Sequence, residues 1–196
     1  SAEELALVER LRAGDEVAFT EVVERHHGPL LRFARLFISN PAVAEEVVQD
    51  TWVAVLNGLP SFEGRSTLKS WMFSILANRA KTRAVREKRT ITFSELSAPG
   101  LEDEPAVDPD RFTTAGAWLA PPGRWDEGTP EQLLLQREAL AVVAQAMAEL
   151  PASQRAVVTL RDVDGLEATE VCHVLEISET NQRVLLHRGR SKVRAA

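Results

Sequence analysis

The 196-residue sequence has one cysteine, Cys172, no tyrosine and two methionines. A single cysteine excludes an intrachain disulfide, so nothing points to an oxidising compartment. No apolar run approaches the roughly 20 residues that a membrane-spanning helix needs. The first residues are acidic and amphipathic and lack the basic-then-apolar pattern of a secretory signal. We therefore expect a cytoplasmic protein with no membrane insertion of its own.

Glycine-rich phosphate loops and metal-ligand spacings are also missing from the sequence. Its ten glycines are scattered, and no stretch of useful length alternates as a strand does. Cys172 and His173 are neighbours on a predicted helix, so their side chains diverge, and the same holds for His26 and His27. We expect no metal, no cofactor and no catalytic residue.

The composition divides the chain into three parts. Residues 1–92 and 131–196 have helical periodicity, and 44% of the chain is hydrophobic, enough to bury real cores. Residues 93–130 contain six of the ten prolines, four glycines and eight acidic residues against two arginines. That composition is typical of a linker. We predict an all-α protein of two small helical domains joined by a long, acidic, proline-rich linker.

A helix in the first part carries an acidic face. Asn40 followed by Pro41 predicts its N-terminus, because Asn caps helices well and Pro suits the first helical position. One face, away from the apolar side, is shared by Glu46, Gln49, Asp50 and Val53. This face either meets a basic protein surface or is simply solvated.

The next predicted helix, from Thr67 to about Arg89, is strongly basic. Residues 65–89 contain eight basic residues and one acidic residue, and Phe62 and Trp71 lie near the start. Basic residues interleaved with aromatic ones suit unwound nucleic acid, whose bases can stack. Alternatively, both rings are core residues and the arginines solvate the surface. For Trp71 the apolar stripe favours the core.

The end of the chain has the pattern of a helix-turn-helix. A short predicted helix is followed by the turn Glu-Ile-Ser at 176–178 and a basic helix with Ser178 as its predicted N-cap. A helix fits the major groove and can present side chains to base edges. The expected base readers are Asn181, Gln182, Arg183, His187 and Arg188, and the expected phosphate contacts are Arg190, Lys192 and Arg194. The expected core of the motif is Ala168, Val171, Leu175, Ile177, Val184 and Leu185. The alternative is an amphipathic helix with a solvated charged face.

Three segments, in this order, resemble the extracytoplasmic-function (ECF) group of bacterial sigma factors. AEEVVQDTWVAVL at 44–56 resembles the core-polymerase-binding helix of that family. Residues 62–87 resemble its element for opening and reading the minus-ten promoter region, and residues 150–194 resemble its minus-thirty-five-binding domain. The resemblance implies a sigma region 2-like domain at 1–92, the linker, and a sigma region 4-like domain at 131–196.

The resemblance also implies partners and site residues. The partners are core RNA polymerase, promoter DNA and an anti-sigma factor. Glu46, Gln49 and Asp50 would face the clamp helices of the polymerase. The implied minus-ten contacts are Ser61, Phe62, Glu63, Gly64, Arg65, Ser66, Lys69, Asn78, Arg79 and Arg83, with the loop 61–66 capturing a flipped base. The implied minus-thirty-five contacts are Thr180, Asn181, Arg183, Val184, His187, Arg188 and Arg190.

The sequence departs from the family pattern in three places. The segment at 180–183 is unusual and affects the expected base preference. Gly189 replaces a common alanine, which should cost an interior helix position about 1 kcal/mol. The linker, with Trp118 and Trp125, is longer than the family's usual one and could pass through the RNA-exit path of the polymerase.

These features together predict a sigma factor that directs core RNA polymerase to a subset of promoters and performs no chemistry itself. One alternative is a dimeric helix-turn-helix repressor or activator that acts without being a polymerase subunit. Another is a nucleic-acid-processing enzyme that uses Asp50 and Glu46 with a metal, for which the sequence offers no third ligand. The net charge of −6 favours low DNA affinity of the free protein.

Overall fold

The computed structural model describes residues 2–86 and 130–195. Every regular element in these two ranges is helical, which confirms the predicted all-α class. The α-helices are α1 (Ala2–Arg12), α2 (Glu16–Ala34), α3 (Pro41–Gly58), α4 (Leu68–Arg86), α5 (Pro130–Glu149), α6 (Ala152–Val158), α7 (Ala168–Leu175) and α8 (Glu179–Ala195). None of these described helices has the length and apolar character needed to cross a membrane.

The predicted linker lies outside the described residues, except for Pro130, which begins α5. Trp118 and Trp125 fall in that range. The domain boundaries at residues 92 and 131 therefore stay predictions.

Local sequence signals begin the N-terminal helices. Asn40 caps α3 as predicted, its side-chain oxygen accepting a hydrogen bond from Ala42 N at 3.0 Å. Asp15 caps α2 by accepting from the backbone of the first turn. The core between α2 and α4 contains Phe33 and Phe73, whose rings meet edge to face at 5.4 Å.

The C-terminal domain contains the predicted helix-turn-helix. Helix α6 continues into a π-helical turn at Thr159–Val163. Helix α7 ends at Glu176, whose φ of 57° makes the left-handed turn that redirects the chain. The Ser178 hydroxyl then accepts a hydrogen bond from Asn181 N at 3.2 Å and so caps α8. The three-residue turn and the N-cap are both confirmed.

Gly189 lies in the interior of α8, where that helix crosses α6. A Cβ at this position would lie 2.5 Å from Cγ2 of Val158 and 3.5 Å from the Gln154 Cβ. Only glycine therefore allows the two helices to pack this closely. We expect the close contact between α6 and α8 to offset the cost of glycine to helix propensity.

Two assignments on α8 are wrong. Gln182, expected to read bases, is 2% exposed, and Val184, expected in the core, is 38% exposed. Helix α8 turns Gln182, Leu185 and Gly189 towards the protein interior. Val184 consequently lies on the opposite, solvent-facing side.

The two domains pack against each other through α4 and α7. Arg32 of α2 forms an ion pair with Asp164, which follows α6, at 3.1 Å. Lys69 donates to the backbone carbonyl oxygen of the same aspartate. Lys81 of α4 pairs with Glu176 at 2.7 Å. Basic groups of the first domain thus meet acidic or carbonyl groups of the second.

Candidate nucleic-acid and protein interfaces

Helix α3 presents a mixed surface to solvent. Glu46, Gln49 and Asp50 are all exposed, as their shared spacing predicts. Val53 and Leu56 are 57% and 47% exposed beside them. We call these five residues the α3 surface. Exposed apolar groups rimmed by polar ones are typical of protein–protein interfaces. Leu56 was not predicted to belong here, because the sequence does not distinguish an outward from an inward apolar residue at that position.

Helix α4 joins this surface through its arginines. Arg83 Nη2 lies 3.1 Å from Glu46 Oε2, and Arg83 Nη1 donates to Oε1 at 3.3 Å. Arg79 Nη1 lies 4.0 Å from Asp50 Oδ2. A groove of about 460 Å³ beside these pairs is lined by Asp50 of α3 and by Asn78, Arg79 and Arg83 of α4. Asn78, Arg79 and Arg83, three of the residues predicted for minus-ten DNA, therefore share one charge-balanced surface with the residues predicted for polymerase.

The loop Ser61–Ser66 connects a short 3₁₀ turn to α4. Its Glu63, Gly64 and Arg65 are exposed. Gly64 has a φ of +70°, which a residue with a side chain rarely adopts. Glu63 and Arg65 form an ion pair at 2.5 Å across it. The tip of the loop is therefore a polar, sharply bent projection.

Phe62 has a different role from its loop neighbours in this structure. It is 8% exposed, and its ring centroid lies 4.8 Å from that of Trp71. Trp71 in turn lies over Gly58, where a Cβ would come within 2.9 Å of the indole. The Phe62 ring anchors the loop from inside, and the partly buried Trp71 agrees with the core interpretation.

Lys69 lies apart from the other residues predicted for minus-ten DNA. Its ammonium group donates a hydrogen bond to the backbone carbonyl oxygen of Asp164, in the C-terminal domain. Thr67 nearby donates to Glu170 of α7 at 2.5 Å. The start of α4 is therefore covered by α7, whereas Arg79 and Arg83 lie on the α3 side.

The outer face of α8 carries the residues predicted to read DNA. Thr180, Arg183, Val184 and His187 are exposed at helical spacing, so they form one continuous face. Arg183 pairs with Glu179 one turn earlier at 3.2 Å. Asn181 and Arg188 are half-buried at its edges. A solvent-facing stripe of this kind on the second helix of a helix-turn-helix is what major-groove recognition requires.

Arg190 has a structural partner that the sequence did not indicate. Its Nε and Nη2 donate to the two carboxylate oxygens of Asp162 at 2.9 and 2.6 Å. These hydrogen bonds raise the pKa of Arg190. The pair ties α8 to the π-helical turn after α6. A phosphate contact by Arg190 stays a prediction.

Burial perturbs two groups at the domain contact. It raises the pKa of Asp164, against the opposing effect of Arg32 and Lys69. It also lowers the pKa of His26 to about 4, with the positive charges of Lys69 and Arg25 acting in the same direction. No sequence pattern could have found either group, because both depend on tertiary packing.

Within residues 2–86 and 130–195, no group of three or more His, Cys, Asp or Glu side chains could hold a metal ion. The metal-dependent enzyme considered above needs a third ligand beside Asp50 and Glu46, and this part of the chain does not supply it.

Both domains match known families. Residues 22–90 match Sigma-70 region 2, and residues 140–193 match Sigma-70, region 4. The chain is 27% identical over 187 residues to the ECF RNA polymerase sigma-E factor of Escherichia coli K12, covering 95% of this chain and 90% of that one. The RNA polymerase sigma-H factor of Pseudomonas aeruginosa gives the same identity and coverage.

Solved structures share the fold. CnrH in complex with the cytosolic domain of CnrY has a TM-score of 0.56 at 22% identity, covering 98% of this chain and 95% of that chain. The sigma factor RpoE in complex with the anti-sigma factor NepR from Bartonella quintana has a TM-score of 0.54 at 22% identity, covering 90% and 94%. The two regions, in this order, define a sigma-70-type transcription factor. Within that class, the chain belongs to the ECF group of sigma factors.

Proposed function

We propose that this protein binds core RNA polymerase through the α3 surface and directs it to a subset of promoters through two DNA-binding elements. The polymerase carries out the chemistry, in the cytoplasm. The proposal rests on one observation: each of the two domains that match a sigma-70 region has its own exposed surface. The α3 surface lies in the domain that matches region 2, and the exposed face of α8 lies in the domain that matches region 4.

The α3 surface is suited to a basic protein partner. Its carboxylates at Glu46 and Asp50 supply charge complementarity, and the exposed Val53 and Leu56 supply apolar area that a partner would cover. On binding, a basic partner would compete with Arg83 for Glu46. Arg79 and Arg83 would then be released towards the DNA strand.

The loop Ser61–Ser66 and the adjacent arginines would meet the melted minus-ten strand. A cavity of about 480 Å³ lies beneath the loop, between it and α1. Contacts with an extruded base must offset the free energy of unstacking it, about a few kcal/mol. The exposed Glu63 and Arg65 offer hydrogen-bonding groups for that purpose.

The face of α8 would read duplex DNA at the minus-thirty-five element. Arg183 can form paired hydrogen bonds with guanine, and Val184 can contact a thymine methyl group. Phosphate contacts from the basic residues further along α8 would fix the register.

An anti-sigma partner for this chain is supported by the similar RpoE structure, in which the sigma factor is in complex with the anti-sigma factor NepR. Such a partner would hold the protein inactive by covering one of these surfaces.

The test is binding with purified components. We expect the protein to bind core polymerase, and Asp50→Ala to weaken that binding at least tenfold. Glu24→Ala, which removes an exposed carboxylate from α2, is the matched control and should have no effect. Polymerase-independent, dimeric binding to specific duplex DNA, with no affinity for core polymerase, would instead identify the repressor or activator alternative.

A further inference from the structure

We propose that α1 positions the minus-ten loop, with Arg12 holding the start of the loop and Glu4 holding its end. This inference rests on the proposed function, because it takes Ser61–Ser66 as the segment that contacts the minus-ten strand. Neither residue belongs to the segments that carry the family resemblance, and α1 lies outside the region 2 match at 22–90.

Arg12 fixes the start of the loop through backbone contacts. Its Nε donates to the Leu59 carbonyl oxygen at 3.1 Å, and its Nη2 donates to the Phe62 carbonyl oxygen. Its Nη1 forms an ion pair with Glu9 of the same helix at 2.7 Å. The guanidinium is planar and presents its donors in fixed directions, so it sets the orientation of both carbonyl groups at once. Lysine could not replace all of these contacts.

Glu4 fixes the other end. Its Oε1 accepts a hydrogen bond at 2.6 Å from the backbone N–H of Leu68, the first residue of α4. The first N–H groups of a helix have no partner within the helix, and a carboxylate there also interacts favourably with the helix dipole. Glu4 and Arg12 are eight residues apart, about 12 Å along the axis of α1. One rigid helix therefore holds the loop at both ends.

Helix α1 also forms a wall of the cavity beneath the loop. The cavity of about 480 Å³ is lined by Leu5, Val8 and Glu9 from α1, by Pro60, and by residues 61–64 of the loop. A displacement of α1 would therefore change the shape of the loop and of the cavity together. The hydrogen bonds from Arg12 and Glu4 to the two ends of the loop do not involve the α3 surface or α8, so we expect those surfaces to be retained.

The consequence is a specific loss. Without Arg12, the Phe62 carbonyl oxygen loses its Arg12 donor, and the Leu59 carbonyl oxygen keeps the hydrogen bond from Phe62 N at 3.2 Å. The loop then samples more conformations, which reduces its pre-organisation for a flipped base. Discrimination among minus-ten sequences should fall, whereas affinity for core polymerase should not change. Arg12 and Glu4 would act through the loop, as positioning residues.

The experiment uses holoenzyme reconstituted with core polymerase and a promoter DNA library whose minus-ten segment is randomised. The enrichment of preferred bases among bound or transcribed molecules is measured by sequencing. We expect Arg12→Ala to reduce that enrichment about tenfold, Arg12→Lys to restore it only in part, and Glu4→Gln to reduce it less. Arg10→Ala and Glu3→Gln, which change exposed groups on the same helix, are the matched controls and should retain it.

A second readout separates positioning from general instability. Hydrogen exchange of the amides in 61–66 should speed up in Arg12→Ala and Glu4→Gln, with exchange in α3 and α8 unchanged. If Arg12→Ala fails to fold, Arg12→Lys and Glu4→Gln carry the same test. Unchanged enrichment and unchanged loop exchange in those variants would overturn the proposal. A wild-type holoenzyme that shows no minus-ten preference would instead overturn the proposed function.

Discussion

Arg32 Nη2 lies 3.1 Å from Oδ1 of Asp164, a residue 132 positions later in the chain. The Asp164 side chain is 1% exposed, whereas that of Arg32 is 54% exposed. Within residues 2–86 and 130–195, the other oxygen of Asp164, Oδ2, has no hydrogen-bond partner. A half-exposed cation thus compensates a buried carboxylate where the two domains meet.

Removal of Arg32 should destabilise this contact. Arg32→Ala removes the ion-pair partner of the buried carboxylate and leaves Lys69 as the remaining positive charge that acts on it. We expect a loss of about 1 kcal/mol, less than a buried charged hydrogen bond contributes, because Arg32 is half-exposed. Thermal unfolding measures it. Arg35→Ala, an exposed arginine of the same segment, is the control. Addition of Asp164→Asn should recover most of the loss. Equal melting temperatures of Arg32→Ala and Arg35→Ala would contradict this assignment.

Burial of His26 predicts a pH dependence of stability. Its pKa falls from 6.5 to about 4 in the folded protein, so between these values the unfolded chain binds a proton that the folded one does not. The free energy of unfolding should therefore decrease as pH falls from about 6.5 towards 4. His26→Gln should flatten this slope in urea titrations, and His173→Gln, on the exposed side of α7, should not.

Asp164 has the opposite sign. Because its pKa is raised in the folded state, the folded protein binds that proton more tightly and gains stability as pH falls through the raised value. The contributions of the two groups are separated by measuring the free energy of unfolding against pH for His26→Gln alone and for His26→Gln combined with Asp164→Asn. If His26→Gln leaves the pH dependence of the free energy of unfolding unchanged, both with Asp164 and with Asp164→Asn, the histidine has no role in it.

The crossing of α6 and α8 predicts a coupled pair. Gly189→Ala gains about 1 kcal/mol of helix propensity but places a Cβ against Val158, and overpacking costs about 1–3 kcal/mol. We expect a net loss in the wild-type background and a gain, or a smaller loss, with Val158→Ala. A double-mutant cycle in urea should give a coupling of about 1 kcal/mol or more. Strictly additive effects would show that the helices move apart at no cost.

Two arginines of α8 should respond differently to truncation. Arg183→Ala should lower the affinity of holoenzyme for promoters that depend on the upstream element by about 1–3 kcal/mol. It should change stability by no more than about 0.5 kcal/mol, because its pair with Glu179 is exposed. Arg190→Ala, in contrast, should mainly lower the stability of the C-terminal domain, because it breaks the ion pair with Asp162. Binding titrations and thermal unfolding of both variants check the contrast. Equal stability losses in the two would contradict it.

Signals that are local in sequence predicted the parts of the fold that are local in space. The cap at Asn40, the turn before Ser178 and the exposed stripe on α3 each depend on a few neighbouring residues. The same reasoning assigned Gln182 wrongly, because the buried side of α8 is decided by where α6 packs.

The long-range contacts had no sequence signal. Arg12 reaches a loop about 50 residues away, Arg32 reaches another domain, and Arg190 pairs with a residue 28 positions earlier. Each of these arginines looks in sequence like any exposed basic residue. The structure was needed to separate basic groups that hold the fold together from those that face outward.

The most direct measurement is promoter-specific run-off transcription with purified core polymerase and fragments of DNA from the source organism. We predict discrete transcripts that appear only when the protein is added, are lost with Asp50→Ala, and persist with Glu24→Ala. With Arg183→Ala, transcripts from promoters that depend on the upstream element should weaken while core binding is retained. No protein-dependent transcripts, or unchanged transcription and core binding with Asp50→Ala, would contradict the proposed role of the α3 surface in promoter-specific initiation.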